Sequence, residues 1–396
     1  MIRKITESVS WVGKIDWELK KFHGSEYSTH KGSSYNSYLI RAGKTALLDT
    51  VWAPFAKEFV DNLEAEVGLR NLDFMVQSHA EVDHSGALPE LMSRRPDLPI
   101  YCSANAVKSI RGQYHKDWDF RVVKTGESLD IGKGKSLVFV EAPMLHWPDS
   151  LFTYLQGEAV LFPNDAFGQH FATEALFNDL VNQDELWHEC VKYYANILTP
   201  FSSLVAKKIK EVVGLGLPVE VIAPSHGVIW REDPLQIVNK YAEWAADYRE
   251  DRVVLLYDSM WDGTRKLAEQ IAHGISDASS STEVRVHNVA KTDKNDVITD
   301  VFRSKAVLLG SPTINKGILN AMAGIVEQIK GLRFKGKKGA AFGCYGWSGE
   351  SFRQLDEELR ECGFEVVSEA LGCLWEPGPE ELAAAYEYGR AFAAKL

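Results

Sequence analysis

The run QSHAEVDHSG collects His79, Glu81, Asp83 and His84 within six positions. Imidazole and carboxylate side chains at that density are the ones that hold metal ions. The run follows the apolar stretch LDFMVQS, so it leaves the end of an expected strand. Three more donors stand in the same relation to short apolar stretches: His146 after SLVFVEA, Asp165 after AVLFPN and His226 after VEVIAPS. Strand ends gathered on one sheet edge are where grafted sites form. Any one of these residues alone reads as a solvated loop residue. Together they are too many for one tetrahedral ion and suit two ions sharing a carboxylate. Asp165, isolated after its strand, is the expected bridge.

A second group lies in three later loops. In DSMWDGT an apolar strand ends at Ser259, Met260, Trp261, Asp262, Gly263 and Thr264, where a helix opens. Backbone N–H groups and the helix start offer a phosphate site, although a merely capped helix looks similar. Ser311, Pro312, Thr313, Ile314 and Asn315 follow AVLLG, and Tyr345, Gly346, Trp347, Ser348 and Gly349 follow GAAFGC. Three such loops can hold a phosphate at one end and a flat ring at the other. Asp262 would repel the phosphate unless its side chain points away. No GxGxxG follows a strand, which argues against a dinucleotide.

The elements that must position these loops divide the chain. With 396 residues, two or three domains are expected. Up to about residue 250 the stretches YNSYLI, KTALLD, LDFMVQS, LPIYCS, SLVFVEA, AVLFPND and VEVIAPS read as strands. Helical patterns at 53–68 and 204–216 lie between them, and Asp233 with Pro234 opens a third helix over 233–250. Beyond the charged REDR, strands RVVLLYDS, EVRVHNV, AVLLGSPT, GAAFGCYG and EVVSEA alternate with helices. That is the pattern of a doubly wound parallel sheet. The expected domains are 1–250 and 251–396.

A net charge of −11 argues against nucleic acid as partner. No apolar run approaches a membrane span, and the N-terminus lacks a signal-peptide core, so a cytoplasmic protein is expected. The five cysteines at 102, 190, 344, 362 and 373 include no CxxC pair and read as buried spectators. Arg333, Lys335, Lys337 and Lys338 form a basic run that reads as a solvated loop, with donor docking as the alternative.

HxExDH followed by isolated His, Asp and His resembles the metallo-β-lactamase fold, an αββα sandwich. Its zinc members carry histidine where this chain has Glu81. The glutamate variant joined to a flavodoxin-like half is similar to the flavodiiron proteins. APMLHWPDS, NDAFGQH, KYYANIL and APSHGVIWR extend the likeness over the whole chain. The resemblance implies FMN and two non-haem irons. One iron would take His79, Glu81 and His146, the other Asp83, His84 and His226, with Asp165 bridging. His84 is the ligand on which family members differ. His23 and Tyr193 fall in stretches that match surroundings of that site. The Met-Trp pair at 260 and 261 also fits the family.

The implied activity is reduction of dioxygen to water, of nitric oxide to nitrous oxide, or of both. Electrons would come through FMN from a rubredoxin-like protein or a reduced deazaflavin, in a head-to-tail homodimer or a dimer of dimers. Two rival readings are a zinc hydrolase with a C-terminal docking module and a gas-binding sensor without turnover.

Overall fold

The computed structural model describes residues 2–396. Two compact units emerge, Met1–Tyr193 with Phe201–Glu243, and Tyr194–Pro200 with Trp244–Leu396.

The first unit is built on two sheets. One has seven strands in the order Arg3–Lys4, Val9–Trp11, Tyr38–Arg41, Thr45–Leu48, Phe74–Val76, Ile100–Cys102, Phe120–Val122. The other has five: Ser128–Gly132, Lys135–Glu141, Leu151–Gln156, Val160–Phe162, Val221–Ile222. Side-chain alternation along a strand decides what each face meets. Ile40, Ala46, Leu48, Phe74 and Val76 point toward the second sheet and pack on Leu137, Phe139, Leu151, Leu155 and Phe162. Their neighbours Leu39, Leu47 and Met75 turn outward onto helices Ala56–Glu66, Leu88–Arg94 and Ala104–Tyr114, meeting Phe59, Leu63, Leu88, Leu91 and Ile110. The outer face of the five-stranded sheet, at Val140, Phe152, Tyr154 and Leu161, is met by Val212 of helix Ser202–Gly214 and the segment after it. The result is the αββα sandwich. All seven expected strands are present, several of them only two or three residues long. The third helix is shorter than its sequence pattern. It runs Leu235–Trp244, because Asp233 and Asp247 take left-handed φ values of 43° and 53° that a helix cannot continue through.

The second unit carries a parallel sheet in the order Glu283–Asn288, Arg252–Tyr257, Ala306–Gly310, Lys338–Tyr345, with Glu365–Val366 and Leu371–Leu374 both on the far edge. This doubly wound order places the cavity at the strands' C-terminal ends. Leu371–Leu374 is a strand that the sequence pattern did not reveal. Helices Gly263–Ala278 and Pro379–Ala393 pack very closely: a Cβ on Gly274 would stand 2.0 Å from Tyr386 O, and one on Gly389 2.2 Å from Ile271 O. In the basic run, Lys337 is not solvated. It is buried and its Nζ donates to Phe302 O at 2.9 Å, with burial pushing its pKa down to about 7. Among the described residues no helix is long and apolar enough to cross a membrane.

Candidate functional site

Each donor in the first unit leaves the end of a short strand. Phe74–Val76 delivers His79 and the turn holding Glu81, Asp83 and His84, and Lys135–Glu141 precedes His146. Val160–Phe162 and Val221–Ile222 pair in parallel, so Asp165 and His226 emerge side by side. His79, Glu81, His146 and Asp165 offer atoms within 4.8 Å of one another, and Asp83, His84 and His226 form a second such group.

Asp165 faces both groups. Its Oδ2 lies 3.4 Å from His146 Nε2 and 3.6 Å from His79 Nε2. Its Oδ1 lies 2.8 Å from His84 Nε2 and 3.6 Å from His226 Nε2. Asp83 Oδ2 stands 3.0 Å from His226 Nε2 and 3.2 Å from His84 Nε2, while Glu81 Oε2 stands 3.2 Å from His79 Nε2. The approaches to Asp83 and Asp165 lack hydrogen-bond angles, whereas His79 Nε2 and Glu81 Oε2 are hydrogen-bonded. Both carboxylate oxygens of Asp83 and of Asp165, and both ring nitrogens of His84, are buried without a hydrogen-bond partner among the described residues. Each such buried group costs about 1–3 kcal/mol if left unpaired. A pair of cations between the two groups removes that cost, and the donor set of imidazole and carboxylate fits iron.

The electrostatics agree. Burial opposes ionisation of Asp165, but the charge on His84 and the close approach of the His146, His84 and His79 rings outweigh it and hold the carboxyl well below its usual range. For Glu81, burial is likewise outweighed by hydrogen bonds from His23 and His79. Burial lowers His84, yet Asp83 and Asp165 raise it to about 9.

A surrounding layer orients the donors. His79 Nδ1 lies 3.3 Å from Asp149 Oδ1, whose other oxygen accepts from Ala80 N at 2.9 Å. His226 Nδ1 donates to Ser34 O at 2.7 Å. Such bonds set which ring nitrogen is free for a metal. His23 reaches the site directly, with Nε2 2.9 Å from Glu81 Oε1. Tyr193 stands farther out: its ring packs on His170, 5.3 Å between centroids, and His170 packs on His226 at 4.8 Å. Sequence reasoning missed Asp149 and His170. Asp149 lies in the quoted run APMLHWPDS, where its place just after His146 was the available signal.

In the second unit the three loops enclose a cavity of about 590 Å³. Ser259, Met260, Trp261, Gly263, Thr264, Pro312, Thr313, Ile314, Asn315, Tyr345, Gly346, Trp347 and Ser348 line it. Asp262, Ser311 and Gly349 do not. Asp262 turns away to pair with Arg265, 3.2 Å from its Nε, which removes the expected repulsion. Ser311 Oγ is consumed by the backbone, accepting from Leu319 N at 3.0 Å, and Gly349 packs against Phe352. The lining also includes Lys316, Cys344, Trp375 and Glu376, which the sequence reading did not name. Thr264 Oγ1 is buried and unpaired at the start of helix Gly263–Ala278, where a phosphate would accept from it. Trp347 and Trp375, 6.5 Å apart, supply flat apolar walls for a ring. The cavity fits FMN.

Known proteins show the same two halves. Residues 255–389 match the flavodoxin family and residues 34–227 the ODP family beta lactamase. An anaerobic nitric oxide reductase flavorubredoxin of Klebsiella pneumoniae is 55% identical over 98% of this chain and 81% of its own length. Rubredoxin oxygen:oxidoreductase of the anaerobe Desulfovibrio gigas superposes with a TM-score of 0.96 at 36% identity, covering 100% of this chain and 98% of that one. The flavodiiron protein of Giardia intestinalis gives 0.94 at 30% identity, covering 100% and 96%. With likeness extending through both halves, the chain belongs to the flavodiiron proteins, oxidoreductases that carry FMN and a non-haem diiron site.

Proposed function

We propose that this protein reduces nitric oxide to nitrous oxide, with electrons entering at FMN in residues 251–396 and reaction at a diiron site in residues 1–250. The observation that carries the reading is Asp165, with one oxygen toward each group of donors. His79, Glu81 and His146 would hold one iron, Asp83, His84 and His226 the other. When bound, the irons supply two electrons and act as Lewis acids for a gas held between them. The chain's own part is orientation. His23 occupies Glu81 Oε1 and leaves Oε2 facing the metal side. Asp149 and Ser34 fix the rings of His79 and His226. Two nitric oxide molecules take two electrons and two protons to give nitrous oxide and water.

Nitric oxide is the first substrate because the 55% identical relative bears that activity in its name. Dioxygen, reduced to water by four electrons and four protons, is the second, on the strength of the 36% identical oxygen:oxidoreductase. The electron donor is a separate rubredoxin-like protein or a reduced deazaflavin, and the working unit a head-to-tail homodimer, alone or paired. The zinc hydrolase is set aside: its supposed docking module holds a cavity suited to FMN, and the relatives are reductases. Anaerobic mixing of the fully reduced protein with nitric oxide and with dioxygen in turn tests the proposal. Nitrous oxide formed at a rate exceeding dioxygen consumption is expected. A yellow, iron-loaded protein that oxidises with neither gas defeats it.

A further inference from the structure

Cys344 and Cys373 are separated by 28 intervening residues in the sequence, yet the sheet sets them side by side. They are direct register partners on the parallel strands Lys338–Tyr345 and Leu371–Leu374. Register partners point to the same face, and neighbouring strands lie about 4.8 Å apart. That spacing falls inside the Cα separation that a disulfide spans, roughly 4.4–6.8 Å. Cys373 Sγ makes long contacts to Leu374 O at 3.9 Å and Trp375 O at 4.0 Å. Both are free and buried in one core cluster, with Cys344 7% and Cys373 3% exposed.

Their position relative to the cavity is unequal. Cys344 lines it and Cys373 lies behind. Cys344 Sγ also sits 3.1 Å from where a Cβ on Gly263 would stand, directly under the turn that opens the phosphate-binding helix. Cys344 is therefore open to a small oxidant from the cavity, and a ligand filling the cavity stands in that path.

We propose that Cys344 and Cys373 form a reversible disulfide that closes only when the flavin cavity is empty, and that bound FMN shields the pair. The oxidant is a low-molecular-weight disulfide. Cys344 loses its proton and attacks one sulfur, one thiolate leaves, and Cys373 then displaces the second thiolate from the mixed disulfide. The protein gives up two electrons and two protons, and the oxidant becomes two thiols. Burial pushes both thiols up, Cys344 to about 12, so the exchange is slow at neutral pH. A bond between adjacent parallel strands is constrained by the sheet, which favours ready reduction.

The inference rests on the cavity being the FMN site, and the test separates the two. Full-length protein, stripped of flavin or loaded with it, is incubated anaerobically with 2-hydroxyethyl disulfide. Acid-quenched thiols are then counted in denaturant. Cys362 is half-buried and is replaced in all samples by Cys362→Ser, which leaves four thiols. The stripped protein should fall from four thiols to two, with peptide mapping linking Cys344 to Cys373 and dithiothreitol restoring the count. The FMN-loaded protein should keep all four. Stripped Cys373→Ser should instead accumulate the mixed disulfide at Cys344, seen as added intact mass. Four thiols persisting in the stripped protein, a link to another cysteine, or equal reaction with and without FMN would each overturn the proposal. Failure of the chain to bind FMN, read by flavin fluorescence quenching, would instead count against the functional reading.

Discussion

A carboxylate that serves two ions has a different mutational signature from one that serves a single ion. Asp165 shows Oδ2 to His146 and Oδ1 to His84. Asp165→Ala should therefore lose more than one equivalent of iron per chain, measured by elemental analysis of the purified protein. Retention of one tightly bound iron with other properties unchanged would mean that the bridge is elsewhere. Glu81 is the residue that departs from the zinc pattern of the fold. Glu81→His should move bound metal from iron toward zinc and abolish gas reduction, since zinc has no accessible redox change. A mutant that keeps two irons and full activity would show that Glu81 does not choose the metal. The donors were legible in the sequence because each follows a short apolar strand. Asp149 offered only its nearness to His146 as a signal, while Ser34 acts through its backbone carbonyl and His170 through ring packing on His226, and neither of those leaves a spacing to read.

Among the elements, the tightest fit is the pair of helices Gly263–Ala278 and Pro379–Ala393. Alanine in place of a helical glycine gains about 1 kcal/mol from propensity. At Gly274 the added methyl would meet the Tyr386 carbonyl at 2.0 Å, a backbone atom that cannot rotate aside. Overpacking of that kind costs about 1–3 kcal/mol and more when backbone must move, so the steric term should win. Gly274→Ala is expected to lower stability in denaturant titration by about 1–2 kcal/mol. Gly331→Ala, with nothing within 4 Å of the new Cβ, should leave it equal or slightly raised. If both behave alike, close helix approach is not what the glycine serves. Strand positions followed from apolar runs bounded by turns, and the five strands named for the sheet are all there. Leu371–Leu374 escaped notice because LGCL is short, includes a glycine and buries only Cys373. The pairing of Cys344 with Cys373 was hidden with it. The helix start at Asp233 also misled: Asp233 takes a left-handed φ and the helix opens at Leu235.

At the scale of the molecule, the proposed head-to-tail dimer predicts which subunit's flavin serves which irons. A hybrid of a His79→Ala chain with a chain altered at Ser259 and Thr264 retains one intact flavin site and one intact metal site, on different subunits. Transfer between subunits makes this hybrid active. A hybrid of wild-type chain with a doubly altered chain should then be dead. The opposite pattern in single-turnover oxidation would establish transfer within one chain. The discontinuity of the second unit has a consequence for dissecting the protein. Tyr194 belongs with that unit, its ring 5.4 Å from Trp244 and 5.6 Å from Phe302, and Asn196 Nδ2 donates to Asn295 O at 3.2 Å. Phe302 is also stacked by Tyr248 at 5.6 Å. A gene fragment starting at residue 251 leaves out Tyr194, Asn196, Trp244 and Tyr248 and bares Phe302, so it should be poorly soluble. Exchanging the flavin half between related proteins needs two recombination windows, one around 194–200 and one at 244, and a chimera joined at a single crossover would combine mismatched parents within one core.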